Sequence, residues 1–217
     1  MIIDHNELLY KWRWNQLGAG RYNGAYYYSK EIVKNIIPNV ETDRNWITVN
    51  IRGVGCSHSI IFVHNNLNPA LYDWLSEFED LVLVCGVEET CEKVEHIGKT
   101  IYLPLSIDTK YVKQFKLPKE ERSGTAYAGR PSKREIDGVY FPTCDILENL
   151  PREQLLSRMA HYEYIYAVGR TAIEAKALGC KLKAYDPRYP DVRRWKVLDN
   201  KEAAKILQKE LNIIDGV

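Results

Sequence analysis

Apolar runs alternate along this chain with segments of helical periodicity, a pattern that predicts parallel β-sheets flanked by helices. Continuous apolar runs such as 59–66 and 81–86 are typical of strands that are buried on both faces. Other strands are predicted at 46–53, 100–106, 125–130, 138–142, 164–169 and 181–186. Helices are predicted at about 25–37 and at 68–80, 88–98, 151–162, 170–179 and 200–212. This alternation predicts the α/β class, with two small Rossmann-like domains built on parallel sheets.

A polar stretch rich in charges and interrupted by proline and glycine divides the pattern at 108–124. We therefore predict an N-terminal domain at 1–107, a linker at 108–124 and a C-terminal domain at 125–217. Within 110–134 eight lysines and arginines accompany only a few acids, and a second basic segment contains Arg188, Arg193, Arg194 and Lys196. Such segments can follow nucleic-acid phosphates or can be solvated surface.

Composition excludes several classes of protein. The 217 residues are 45% hydrophobic and 27% charged, as in ordinary globular domains, and the formal net charge is +1. A charge this small argues against a protein that lives mainly on nucleic acid or on an anionic membrane. Five scattered cysteines without a C-x-x-C pair argue against a zinc site. The sequence has neither a signal-peptide pattern nor a membrane-spanning apolar run, so we expect a cytoplasmic protein without a membrane span.

Two predicted strands end in glycine followed by basic residues. Ligands of parallel sheets bind at the carboxyl ends of strands, and a glycine turn that opens a helix presents backbone N–H groups to an anion. The basic side chains could hold a diphosphate, and Glu174, one turn into the second helix, could reach ribose hydroxyls. Alternatively, the glycines could be turn residues, and the glutamate could interact only with the dipole of its helix. The residues are Gly129, Arg130 and Lys133 after one strand, and Gly169, Arg170, Thr171 and Glu174 after the other.

The segments AYAGRPSK and VGRTAIEAKALG resemble, in this order, the nucleotide-sugar-binding domain of GT-B fold glycosyltransferases, especially the retaining group 1 (family 4-like) branch. In that family a G-R-x-x-K element grips the donor diphosphate. A later E-A-x-A-x-G element places its glutamate on the donor sugar or ribose. The matching residues are Gly129, Arg130, Lys133, Gly169, Arg170, Thr171, Glu174, Ala175, Ala177 and Gly179.

The first half is also similar to this family, at the end of its acceptor domain, with Pro104 and Asp108 matching a P-x-x-x-D segment. The resemblance covers about 59–186. The chain departs from the family in its short length, which indicates a minimal form of the fold. It departs again at Tyr166, where the family has an acid.

The resemblance implies a glycosyltransferase that takes a sugar from a nucleotide-diphosphate donor, with a UDP-sugar as the first candidate, and retains the anomeric configuration. Arg130 and Lys133 would stabilise the departing diphosphate. His64, which follows a buried strand, would contact the sugar or the reacting oxygens, or else serve only as a loop histidine. Gly20, Arg21 and Asn65 would lie on the acceptor side. The sequence has no D-x-D motif, so we expect neither a metal ion nor a further cofactor.

The acceptor stays open among a glycan, a small molecule and modified DNA. Two alternatives to the main prediction follow from the same residues. One is a non-catalytic protein that binds a nucleotide or nucleotide-sugar with this fold. The other is a glycosyltransferase directed to modified bases in DNA, which would also give the basic segments a role.

Overall fold

A computed structural model describes residues 2–3, 24–48, 55–63, 73–130, 134 and 143–216. The chain divides into two compact units. The first unit contains the described residues between 25 and 105, the strand at 2–3 and the C-terminal stretch 200–216, and the second contains Gly24 and the described part of 106–199. Each unit is built on one parallel sheet with helices, so the predicted α/β class with Rossmann-like character is confirmed.

The first unit has a five-stranded parallel sheet whose strand order follows the chain. Every residue of the third and fourth strands is buried, which explains their unbroken apolar sequences SIIFV and LVLVC. Leu75 and Val94 pack with these strands into one core. The strands are β1 (Ile2–Ile3), β2 (Asn45–Ile47), β3 (Ser59–Val63), β4 (Leu81–Cys85) and β5 (Lys99–Tyr102).

Among the described residues, the first unit contains three α-helices, one π-helix and two 3-10 turns. The segment predicted as one helix at 25–37 is divided, because α1 passes into a π-helix at Ile32–Ile36 and a 3-10 turn at Ile37–Asn39, where Pro38 cannot continue the helix. The last helix packs on this π-helix through an apolar face that includes Leu207 and Leu211. The helices are α1 (Gly24–Glu31), α2 (Glu88–Val94) and α6 (Asn200–Asp215), and a 3-10 turn spans Asp73–Glu77.

The second unit has a four-stranded parallel sheet in the order β7-β6-β8-β9. Its first strand in the sequence therefore lies between the second and the third. The strands are β6 (Thr125–Gly129), β7 (Asp145–Glu148), β8 (Tyr164–Tyr166) and β9 (Lys181–Lys183). The helices are α3 (Thr109–Lys113), α4 (Arg152–Met159) and α5 (Arg170–Leu178), with 3-10 turns at Lys119–Glu121 and Val192–Arg194.

The compact units differ from the predicted domain boundaries in two respects. The segment 108–124, predicted as a linker, contains α3 and groups with the second unit. The final helix, predicted within 125–217, groups with the first unit, where Asn200 donates a hydrogen bond to the buried Glu31 carboxylate at 2.8 Å. Among the residues that the structure describes, no helix is both long and apolar enough to cross a membrane.

Candidate functional site

The strand order of the second sheet reverses between β6 and β8. β7 follows β6 in the sequence and lies on one side of it, whereas β8 lies on the other side with Tyr127 opposite Tyr166. Such a reversal is the topological switch point of a doubly wound sheet, where a crevice forms outside the carboxyl ends of the two strands. The described part of the first sheet has no reversal, since its order follows the chain. The switch point therefore marks the carboxyl ends of β6 and β8 as the candidate site.

Gly129 ends β6 with almost no room for a side chain. A Cβ atom there would lie 2.6 Å from the hydroxyl oxygen of Tyr127 and 3.0 Å from its Cζ. The Tyr127 ring is fully buried and its hydroxyl donates to the carbonyl oxygen of Arg130 at 2.8 Å, while burial raises the pKa of that hydroxyl. Tyr127 thus shapes the backbone just after β6, where the side chain of Arg130 is exposed.

Gly169 follows β8 and has the dihedral angles φ 64° and ψ −141°, a combination that only glycine adopts readily. It opens α5, and its carbonyl oxygen accepts from the N–H groups of Ala172 and Ile173. In the part of the chain that the structure describes, no heavy atom beyond Gly169 and its two chain neighbours lies within 4 Å of the position a Cβ would take. The backbone at the start of α5 therefore borders open space, as an anion site at a helix N-terminus requires.

Glu174 lies one turn into α5 and is buried, with only 4% of its surface exposed. One of its carboxylate oxygens lies 3.0 Å from Nε of Arg170 and 3.0 Å from Nη2 of Arg152, a residue at the start of α4. The carboxylate thus joins the N-terminal ends of two neighbouring helices. The structure brings Arg170 and Glu174 together, but it places the glutamate against guanidinium groups of its own chain.

Arg152 is a member of this site that the sequence analysis did not identify. Its guanidinium carbon lies 5.1 Å from the ring centroid of Tyr111, whose hydroxyl donates to Glu153 at 3.1 Å. Burial and this hydrogen bond raise the pKa of Tyr111. The available signal was the position of Arg152 at the start of a helix that follows a strand, directly after Pro151.

The remaining predicted site residues divide into two groups. Thr171 lies in the first turn of α5 and is half-buried. The others lie outside the residues that the structure describes: Lys133, His64, Asn65, Gly20 and Arg21. Within the described ranges, no cluster of three or more histidine, cysteine or acidic side chains has a geometry that could hold a metal ion.

A separate polar cluster lies in the first unit, at the amino ends of β2, β3 and β4. Nδ1 of His58 lies 2.6 Å from a carboxylate oxygen of Asp80, and its Nε2 lies 3.0 Å from one of Asp43. Arg44, which is 4% exposed, bridges Asp80 and Asp215 at 3.0 and 2.7 Å. His58 and Asp80 have φ angles of 55° and 52°, in the left-handed region. A cavity of about 820 Å³ borders this cluster.

No protein family model matches the chain, and neither a curated protein nor a solved structure matches it. The function must therefore be argued from the site itself.

Proposed function

We propose that the second unit binds a nucleotide-diphosphate sugar at the carboxyl ends of β6 and β8, and that the protein is a glycosyltransferase. One observation carries the proposal. The two glycine-ended segments that resemble donor-site motifs fall on the two strands that flank the topological switch point. Ligands of open α/β sheets bind at this position.

In this proposal the diphosphate lies at the N-terminus of α5. The backbone N–H groups at the beginning of a helix attract an anion, and Gly169 lets the phosphate approach without meeting a Cβ. Arg130, exposed just after the neighbouring strand, would add a charge-assisted hydrogen bond. Lys133, the lysine of the G-R-x-x-K element, would add a second cation.

Transfer would break the bond between the anomeric carbon and a phosphate oxygen of the donor and form a bond from that carbon to an acceptor oxygen. The departing diphosphate gains negative charge in this step and would take up the acceptor's proton. Arg130 would stabilise that charge electrostatically, so the reaction would need neither a cofactor nor a metal ion. A UDP-sugar is the first donor to test, and retention is the stereochemical outcome that the resemblance implies.

Glu174 has a different role in this proposal from the one its motif implies. Its carboxylate binds Arg170 and Arg152 at 3.0 Å and is almost completely buried. It would therefore position the start of α5 for the diphosphate instead of binding the sugar. The same observation favours a second candidate function, a nucleotide-binding protein without transferase activity, because the carboxylate that the motif assigns to the donor sugar is held by two guanidinium groups instead.

The first experiment measures the thermal unfolding of the protein with UDP, GDP, ADP, CDP and their sugar conjugates. A ligand that binds only the folded state stabilises it by RT ln(1 + L/Kd), where L is the ligand concentration, so the midpoint rises as L exceeds Kd. Arg130→Ala should require about tenfold more ligand for the same shift of the midpoint, because it should lose roughly 1.4 kcal/mol of binding free energy. Arg158→Ala is the matched control, because Arg158 is an exposed arginine in the C-terminal half of α4.

Radiolabelled donor sugars then separate the two candidates. Release or transfer of the sugar by the wild type, lost in Arg130→Ala and kept in Arg158→Ala, would support the transferase. Stabilisation by a nucleotide without turnover would support the non-catalytic binder. If no nucleotide or nucleotide-sugar shifts the midpoint, the donor site proposed at the switch point is wrong.

A further inference from the structure

Cationic and aromatic side chains gather in the segment 183–196, which leaves β9 at its carboxyl end. Its 14 residues contain five cations and two acids. We call it the arginine–aromatic segment. Its cations are Lys183, Arg188, Arg193, Arg194 and Lys196, its acids are Asp186 and Asp191, and its aromatic residues are Tyr185, Tyr189 and Trp195.

The positive charge of this segment is part of a wider imbalance. Residues 106–199 contain 18 lysines and arginines against 13 acidic residues, whereas the rest of the chain contains 12 against 16. The near-neutral total is therefore the sum of a cationic unit and an anionic remainder. A cationic unit attracts polyanions over a distance of about 10 Å at moderate salt.

Two of the three arginines of the segment, Arg188 and Arg194, are held on aromatic rings. The guanidinium carbons of Arg188 and Arg194 lie 5.8 and 5.0 Å from the ring centroid of Tyr189, and that of Arg194 lies 5.3 Å from the ring of Trp195. The two rings meet edge to face at 5.4 Å, and Trp195 is buried. Stacking of this kind fixes planar guanidinium groups before any ligand arrives.

The two carboxylates orient arginines without removing them from solvent. Asp186, whose side chain is fully buried, binds Arg188 through both of its oxygens at 2.9 and 2.7 Å. Asp191 binds Nε of Arg193 at 2.9 Å. The Arg188 and Arg193 side chains remain 56% and 88% exposed. The segment therefore presents preoriented and accessible guanidinium groups, the preferred partners of phosphate oxygens.

We propose that the arginine–aromatic segment binds the phosphodiester backbone of a nucleic acid. A single nucleotide offers one diphosphate, whereas cations spread over 14 residues of a cationic unit suit a ligand with regularly repeated phosphates. The nucleic acid would then be the acceptor of the glycosyl transfer; this last step rests on the proposed function, but the binding itself does not.

Fluorescence anisotropy with labelled 20-nucleotide single-stranded DNA, single-stranded RNA and duplex DNA tests the proposal between 50 and 200 mM salt, and shows which nucleic acid supplies the phosphates. The variant Arg193→Ala/Arg194→Ala/Lys196→Ala leaves the buried Trp195 and the Asp186 pair in place. The control Lys201→Ala/Lys205→Ala/Lys209→Ala removes the same charge from α6, in the first unit.

We expect the wild type to bind at least one of these nucleic acids, with affinity falling steeply with salt. The segment variant should bind at least tenfold more weakly at 50 mM salt. Its slope of log affinity against log salt should become smaller by about 2, since each phosphate contact contributes about 0.7 to 0.9. The control should stay within about twofold of the wild type, because its three lysines lie outside the arginine–aromatic segment.

Several results would overturn the proposal. They are the absence of nucleic-acid binding by the wild type at 50 mM salt, unchanged binding by the segment variant, and an equal loss in the control. Poly-glutamate binding as tight as that of DNA or RNA would also overturn it, because phosphate would then not be the group recognised. Thermal shifts with UDP-sugars are measured on the same samples. A wild type that binds nucleic acid but no nucleotide would contradict the transferase and leave the nucleic-acid surface standing.

Discussion

Gly129 and Gly169 stand at the ends of neighbouring strands, yet each excludes a side chain for its own physical reason. At Gly129 the obstacle is space, because the Tyr127 hydroxyl lies 2.6 Å from the Cβ position. At Gly169 the obstacle is the backbone, whose angles suit only glycine although the nearby described atoms leave the position open. The two glycines should therefore respond differently to a change made elsewhere.

The first prediction separates these two reasons by a double-mutant cycle measured through urea denaturation. Gly129→Ala and Gly169→Ala should each lower the free energy of unfolding by about 1 to 3 kcal/mol, one by overpacking and the other by backbone strain. Tyr127→Phe removes the atom closest to the new methyl group, so it should cost less in the Gly129→Ala background than in the wild type. With Gly169→Ala the effects should add. Equal coupling for both glycines would contradict this account.

His58 has a carboxylate at each of its two ring nitrogens, and a neutral imidazole has only one N–H to donate. Both hydrogen bonds therefore need the imidazolium form. The hydrogen bonds to Asp80 and Asp43 raise the pKa of His58 despite the nearby Arg44. The hydrogen bond from Arg44 and then that from His58 lower the pKa of Asp80, and the hydrogen bond from His58 lowers the pKa of Asp43.

The second prediction follows from the sign of these shifts. Because the folded pKa of His58 is raised, its contribution to stability is complete below the ordinary value of about 6.5 and is lost as pH rises through the folded value. The aspartates, whose folded pKa values are lowered, contribute above about 4, and this part is lost in acid. The cluster should therefore stabilise the first unit most between about pH 4 and 6.5.

NMR titration of the His58 ring checks this prediction directly. Asp43→Asn and Asp80→Asn should each lower the pKa of His58, whereas Asp73→Asn, at an exposed position beside His96, should leave it unchanged. His58→Asn keeps a residue that tolerates the left-handed backbone. It should lower the urea midpoint at pH 6 more than at pH 9. A loss that does not vary with pH would show that His58 acts without its charge.

At the scale of elements, one buried carboxylate joins α4 to α5. The side chains of Glu174, Arg170 and Arg152 are 5%, 8% and 11% exposed, so little water can replace a lost partner. The third prediction is that Glu174→Gln lowers the free energy of unfolding by about 3 to 5 kcal/mol, the usual cost of leaving a buried charge without its counterpart.

Urea denaturation measures this effect, with Glu163→Gln as the control. Glu163 pairs with Lys181 in the same unit, but that pair is solvent-exposed and should contribute little. A small loss of stability in Glu174→Gln accompanied by a large loss of nucleotide binding would reverse the assignment. Glu174 would then bind the donor, as its motif implies.

The strands that are easiest to predict from sequence are those whose own residues show, by a continuous apolar run, that they are buried. The runs at β3 and β4 are buried throughout, and a pattern of this kind needs no knowledge of the rest of the fold. β7 was missed, because it is an edge strand in which only Leu147 is buried and it has no apolar run to recognise. The predicted strand at 138–142 lies outside the described residues.

Within the candidate site, too, the sequence predicts features that depend on neighbouring residues but not contacts between residues far apart in the chain. The glycine turn at Gly169 and the helix after it follow from neighbouring residues, and the sequence predicted both. The pairing of Glu174 with Arg152 joins residues 22 positions apart on two helices. Only the packing of α4 against α5 brings them together, and one sequence cannot reveal that contact.

For the whole molecule, the arrangement of the chain matters more than its composition. The net charge of +1 conceals a cationic stretch at 106–199 within an otherwise acidic chain. The predicted C-terminal domain includes α6, whereas α6 groups with the first compact unit; an amphipathic helix shows that it needs a partner surface but not which one. The partner became visible only through contacts such as that of Arg44 with Asp215 at 2.7 Å.

The return of α6 to the first unit bears on how the protein is made. The second unit consists almost entirely of the consecutive stretch 106–199, so most of it can fold soon after it leaves the ribosome. The first unit begins earlier but cannot bury the apolar face of its π-helix until residues 200–216 have been synthesised. The first unit thus begins before the second but is completed after it, and the apolar side chains of Ile32 and Ile36 lack the cover of α6 during that interval.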